Sequence, residues 1–182
     1  MRWDQISLEE LAGHLSTEFN KRQIDTVLVG GACVTIYSKN RYQSSDLDFV
    51  VYEDMKRVNE VLEELGFTEK DGYFCHKQCK WFVEFVSSPV AVGNEILSNF
   101  ANVKVSTGTI KMLRVEDSVK DRLASYYHWG DIQSLNQAID ICLECTVDYQ
   151  EIEIWSIREG CEDKYIKFQQ RLRQVKSRSR RA

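Results

Sequence analysis

Several features are missing from this chain of 182 residues. No apolar run approaches the roughly 20 residues that a membrane span needs, so a transmembrane helix is excluded from the reading. The first ten residues, MRWDQISLEE, lack the apolar stretch of a signal peptide. A cytoplasmic protein without a membrane partner is therefore expected. In that reducing setting the six cysteines (Cys33, Cys75, Cys79, Cys142, Cys145 and Cys161) are expected as free thiols rather than disulfides. Cys75, His76 and Cys79 are zinc-type ligands, but no further pair lies near them to complete a tetrahedron, so zinc is not expected. There is a single proline, Pro89, which marks a turn after Ser87-Ser88. No internal repeat is present, and low complexity is confined to the terminal SRSRRA.

What is present suits one folded domain. Apolar residues make up 43% of the chain, enough for a core, and charged residues 29%. Charge is distributed unevenly. From Lys164 onward there are eight basic residues and no acidic ones, against sixteen basic and twenty-eight acidic before it. A basic end of this kind is suited to a phosphate backbone.

The pattern alternates between helix and strand. Ser7 to Arg22 reads as a helix, with Ser7 and Glu10 in capping-box spacing and Leu8, Leu11, Leu15 and Phe19 on one face. Ile24 to Val29 reads as a buried strand, Ala32 to Tyr37 as a helix after Gly30-Gly31, and Leu47 to Tyr52 as a second strand. Asp54 caps a helix that Gly66 ends, and Asp71-Gly72 signals a hairpin. Lys80 to Val86 alternates like a strand, which puts Phe82, Glu84 and Val86 on one face. Asn94 to Phe100 is expected as a short helix. Val103–Val105 and Thr109–Leu113 are expected as a hairpin around Thr107-Gly108, and the chain from Glu116 onward as helices. The expected class is α/β (α+β), with residues 1–113 as core, 114–175 as a helical part packed on it, and 176–182 as a basic tail.

Val27 to Val51 carries the chemistry. Asp46 and Asp48 lie two residues apart on a strand, so both carboxylates leave the same face. Two such groups repel unless a cation lies between them, which makes them natural Mg²⁺ or Mn²⁺ ligands. Glu84, out of place on an apolar strand, is a third candidate for one or two ions or for a general base. The Gly30-Gly31 turn allows a phosphate to approach the backbone.

Gly30-Gly31, then Asp46-Leu47-Asp48-Phe49, then a carboxylate on a later strand, resembles the nucleotidyltransferase superfamily with its polymerase β-like fold. Arg41 and Ser44-Ser45 resemble the polar lead-in of many members. The helical stretch VEDSVKDRLASYYHWGDIQSLNQA is similar to that of minimal nucleotidyltransferases and AbiEii-like toxins of toxin–antitoxin and phage-defence systems. The resemblance spans roughly residues 24 to 143. It departs from the family pattern in a slightly long spacer from Gly31 to Asp46 and in arginine at position 122, where many relatives have lysine.

The resemblance implies a mixed sheet with flanking helices and transfer of an NMP from an NTP to a hydroxyl of RNA, including tRNA, of protein or of a small molecule. It further implies that Gly30, Gly31 and Ser45 contact phosphates, and that Arg122 or Lys120 neutralises the triphosphate. Asp46, Asp48 and Glu84 would hold the metal, and Asp131 would match a later functional aspartate. A cognate antitoxin or other partner protein also follows from it. The alternative is an inactive module of the same fold that binds nucleotide, nucleic acid or a partner protein.

Overall fold

The computed structural model describes residues 2–179. The first helix, α1 (Leu8–Lys21), starts where the sequence places it. Ser7 Oγ accepts the Glu10 N–H at 3.1 Å, and the Glu10 carboxylate accepts the Ser7 N–H at 2.9 Å. Leu8, Leu11, Leu15 and Phe19 are all buried. There follow β1 (Thr26–Val29), α2 (Gly30–Tyr37), β2 (Asp46–Val51) and α3 (Met55–Glu64). In α3, Asp54 caps the N-terminus through the Lys56 N–H, and Val58, Val61 and Leu62 are buried. Next come β3 (Phe67–Lys70) and β4 (Tyr73–His76), joined at Asp71-Gly72, then β5 (Phe82–Val86), β6 (Ala91–Val92), β7 (Glu95–Ile96), β8 (Ala101–Val105) and β9 (Gly108–Met112). Four helices follow among the described residues: α4 (Val115–Trp129), α5 (Ile132–Glu144), α6 (Tyr149–Arg158) and α7 (Glu162–Ser179).

Seven strands form one mixed sheet in the order β3-β4-β5-β2-β1-β9-β8. β1 runs antiparallel to β2, and β2 runs parallel to β5. Alternation along β2 and β5 separates two faces. Leu47, Phe49 and Val83 are buried on one, where Phe49 and Phe85 stack and Phe19 of α1 meets both edge-on. Asp46, Asp48, Phe82 and Glu84 leave the other. α1 approaches β8 and β9 closely because Gly13 and Gly108 face each other there; a Cβ on Gly108 would strike Thr17 and the Gly13 carbonyl. Helices α4 and α5 pack on α2, with α6 and α7 against them in turn.

The fold is thus the expected mixed α/β class. One element differs from expectation: residues 94–100 are not a helix. Gly93, at φ +57°, and Asn94 form a tight turn between β6 and β7. The Asn94 backbone and side-chain N–H groups both donate to Glu159, the C-cap of α6, at 2.9 and 3.0 Å. These long-range bonds replace the ones a helix would have supplied. The second hairpin also shifts: its turn is Ser106-Thr107, and Gly108 already pairs with Val105. The expected basic tail from Lys176 begins inside α7, and Arg180, Arg181 and Ala182 lie outside the described residues. Among the described residues no helix is long and apolar enough to cross a membrane, and all six cysteines are free.

Candidate active site

The site starts where β1 turns into α2. Val29 lies opposite Asp48 in the β1–β2 ladder, and Gly30 follows at φ +67°. A Cβ at Gly30 would collide with the Asp48 carboxylate. The left-handed backbone and the close approach therefore both require glycine. α2 has no side-chain cap, since Val29 makes no capping bond. Its first N–H groups are left without a side-chain acceptor at the positive end of the helix, an arrangement that favours an anion.

The carboxylates come from two adjacent strands. The parallel β2–β5 ladder sets Asp48 beside Glu84 and Asp46 beside Phe82. Asp46, Asp48 and Glu84 each offer an oxygen, and these oxygens lie within 4.8 Å of one another. Asp46 is held by a relay from α2. Ser44 Oγ donates to Asp46 Oδ1 at 2.7 Å, the Ser44 N–H donates to Thr35 Oγ1 at 2.9 Å, and Thr35 Oγ1 donates to the Gly31 carbonyl at 3.2 Å. Burial, followed by the charges of Asp46 and Glu84, pushes the Asp48 pKa up to about 6. Three crowded carboxylates, one resisting ionisation, form an oxygen donor set that fits a hard divalent cation such as Mg²⁺.

Two clefts flank these carboxylates. One, of about 360 Å³, is lined by Gly30, Asp48, Val50, Val86, Val90, Leu113 and Arg122 among others. The other, of about 440 Å³, is lined by Ser45, Asp46, Lys70, Asp71, Tyr73, Cys75 and Phe82.

The remaining sequence candidates fall in different places. Arg122 stands in the first cleft, its guanidinium bonded to Asp121 and to Gln137 at 3.3 Å. Burial is the largest influence and opposes its charge, but the charge and hydrogen bond of Asp121, with smaller contributions from Cys33 and Tyr42, together raise its pKa. Lys120 is not in either cleft. It is 2% exposed and bonds Glu151 at 2.7 Å and Asp117 and Glu95 at 3.3 Å. Arg114 joins the same cluster through Asp117 and Glu151, and the group lines a separate cavity of about 570 Å³. Ser45 lines the second cleft, away from Gly30, and its carbonyl accepts the Phe82 N–H. Asp131 is the N-cap of α5, accepting from the Gln133 N–H at 2.8 Å and from Ser134 Oγ at 2.6 Å.

Sequence reading missed Ser44 as the group that orients Asp46, and Asp121 as the partner of Arg122. It also missed the exposed aromatics of the second cleft. The alternation of β5, which puts Phe82 on the face of Glu84, carried that last signal.

No family model and no curated protein matches the chain in sequence. Its structure is similar to that of an antigenic nucleotidyltransferase-like protein from Paracoccidioides brasiliensis, at a TM-score of 0.62 and 13% identity, covering 91% of this chain and 92% of that one. It is also similar to the antibiotic-resistance factor ANT(2″)-Ia. The solution structure gives a TM-score of 0.52 at 13% identity over 98% and 100% of the two chains. The complex of that protein with adenylyl-2″-tobramycin gives 0.50 at 11% over 87% and 94%. These likenesses show a nucleotidyltransferase-like fold.

Proposed function

We propose that this protein is a metal-dependent nucleotidyltransferase that moves an NMP from an NTP to a hydroxyl of RNA, with tRNA as a leading acceptor and a toxin–antitoxin or phage-defence setting as its use. One observation carries the reading: on a nucleotidyltransferase-like fold, three carboxylates offer oxygens within 4.8 Å of one another, directly against the uncapped glycine turn.

In this reading Asp46, Asp48 and Glu84 would hold Mg²⁺ or Mn²⁺. A divalent cation there neutralises phosphate charge and lowers the pKa of an attacking hydroxyl. The α2 N-terminus at Gly30-Gly31 takes the phosphates through backbone N–H groups, and Arg122 offsets charge developing on the leaving pyrophosphate. The acceptor oxygen forms a bond to the α-phosphorus as the bond to the bridging oxygen breaks. The hydroxyl proton passes to the Glu84 carboxylate oxygen that does not face the metal, and pyrophosphate leaves. The buried, paired Lys120 supports a structural role, which leaves Arg122 as the phosphate-facing cation of α4.

The test is transfer of label from each α-labelled NTP, with Mg²⁺, to total RNA. Wild-type protein is expected to label RNA, and Asp46→Asn/Asp48→Asn to lose labelling by at least about a thousandfold, the scale on which core electrostatic groups act. No transfer from any NTP overturns the activity. Transfer that survives in the double variant overturns the site.

A further inference from the structure

The nucleotidyl-transfer reading puts the triphosphate in the first cleft, and the second, lined by Asp46, opens on the same sheet face. Phe82 is the direct neighbour of Asp46 across the β2–β5 ladder, where strands run about 4.8 Å apart. Its ring packs edge-on against Tyr73, with centroids 6.3 Å apart and planes at 66°. Both side chains remain open to solvent, Tyr73 at 40% and Phe82 at 43%. Exposed apolar side chains that adjoin one another, rather than being scattered singly, mark a candidate contact surface. Lys70, on the adjoining β3, is exposed, lines the same cleft and has no carboxylate partner among the described residues. A shelf and a wall of aromatic rings beside an unpaired cation, one strand from a metal-type carboxylate pair, has the composition of a platform for a nucleotide of a single strand. Its base stacks on a ring while a neighbouring phosphate meets the cation.

Building on the nucleotidyl-transfer reading, we propose that the cleft between Tyr73, Phe82 and Lys70 binds the acceptor nucleotide of single-stranded RNA. The base stacks on the aromatic pair, and its ribose hydroxyls come within reach of Asp46, Asp48 and Glu84. The donor NTP occupies the other cleft, at Gly30 and Arg122. Donor and acceptor would then meet from opposite sides of one carboxylate cluster, as in-line displacement requires. Tyr73 and Phe82 are binding residues on this account and take no part in proton transfer.

The experiment uses full-length protein and two separate titrations. Fluorescence anisotropy follows a labelled single-stranded octaribonucleotide of mixed sequence, and a fluorescent ATP analogue with Mg²⁺ reports the donor site. The variant is Tyr73→Ser/Phe82→Ser, with Phe82→Tyr as the conservative control. The double variant is expected to bind the oligonucleotide about tenfold more weakly or worse, the scale of one lost base–aromatic stack. Its ATP affinity stays within about twofold, and Phe82→Tyr stays near wild type in both titrations. Both side chains are exposed, so the melting temperature is expected to be nearly unchanged. Oligonucleotide affinity that is unchanged in the double variant, or absent in the wild type, overturns the proposal. So does a loss confined to ATP, which would assign the rings to the donor base. Failure of the wild type to bind ATP with Mg²⁺ instead overturns the nucleotidyl-transfer reading beneath it.

Discussion

Asp48 is held in a setting that opposes its charge: it is half-buried, and two carboxylates stand beside it. Its pKa rises from an ordinary 3.8 to about 6. The folded state therefore holds this proton more tightly than the unfolded chain does. Below pH 3.8 the carboxyl is neutral in both states and costs nothing. As pH rises through 3.8 to 6 the penalty grows, and above 6 it is complete. Allowing for the partly open face, the cost is about 2 kcal/mol. Asp48→Asn is thus expected to stabilise the metal-free protein by about 1–2 kcal/mol at pH 7.5 and by little at pH 4, as read by urea unfolding at both values. Equal effects at the two values would mean that charge is not the cause. Mg²⁺ is expected to raise the stability of the wild type more than that of the variant, because it relieves the same repulsion. Gly30→Ala reverses the logic. It forces a side chain into a left-handed turn and against Asp48, and is expected to cost about 1–3 kcal/mol along with metal affinity.

At the scale of elements, the sequence carried whatever is written locally. The Ser7–Glu10 capping box, the Asp54 cap, the Asp71-Gly72 turn and the two-residue alternation of β5 are short-range patterns, and each formed as read. The three-carboxylate centre was legible for the same reason: period-2 spacing fixes the face, and parallel pairing brings β2 and β5 together. What could not be read is set by distant partners. The β6–β7 hairpin replaces a helix because Glu159, 65 residues away, binds Asn94. Lys120, expected at a phosphate, is instead drawn into a buried cluster with Glu151 and Glu95 from two other elements. No local pattern announces either contact. The hairpin bears on the proposed donor site because residues of its approach and first strand, Pro89 to Val92, line the cleft of Gly30 and Arg122. Glu159→Ala is expected to cost about 1–2 kcal/mol of stability, by stranding two donors of one charged acceptor. It should also speed hydrogen exchange at the Leu97 amide, which bonds the Val90 carbonyl at 2.9 Å. Exchange unchanged at Leu97 would show that the hairpin holds without this bond.

Across the whole molecule, charge and stacking would make separable contributions to the proposed RNA binding. The chain before Lys164 has an excess of twelve acidic residues and would repel a phosphate backbone at long range, while the end of the chain is purely basic. Within α7, Lys164 and Lys176 bond a carbonyl and a hydroxyl, and none of the basic side chains there pairs with a carboxylate among the described residues. Their charge is thus not neutralised by a carboxylate among the described residues. Deleting residues 176–182 removes Lys176, Arg178, Arg180 and Arg181. If each meets a phosphate, the slope of log affinity against log salt should flatten by about 3, at roughly 0.7 per contact for a single strand. The Tyr73→Ser/Phe82→Ser variant should instead lower affinity at every salt concentration while leaving the slope unchanged, since stacking releases no counterions. Measuring the oligonucleotide titration from 50 to 300 mM salt for wild type, truncation and aromatic variant distinguishes the two. A slope that does not flatten in the truncated protein removes the basic end from RNA binding. A slope that changes in the aromatic variant shows that the cleft acts through charge rather than through stacking.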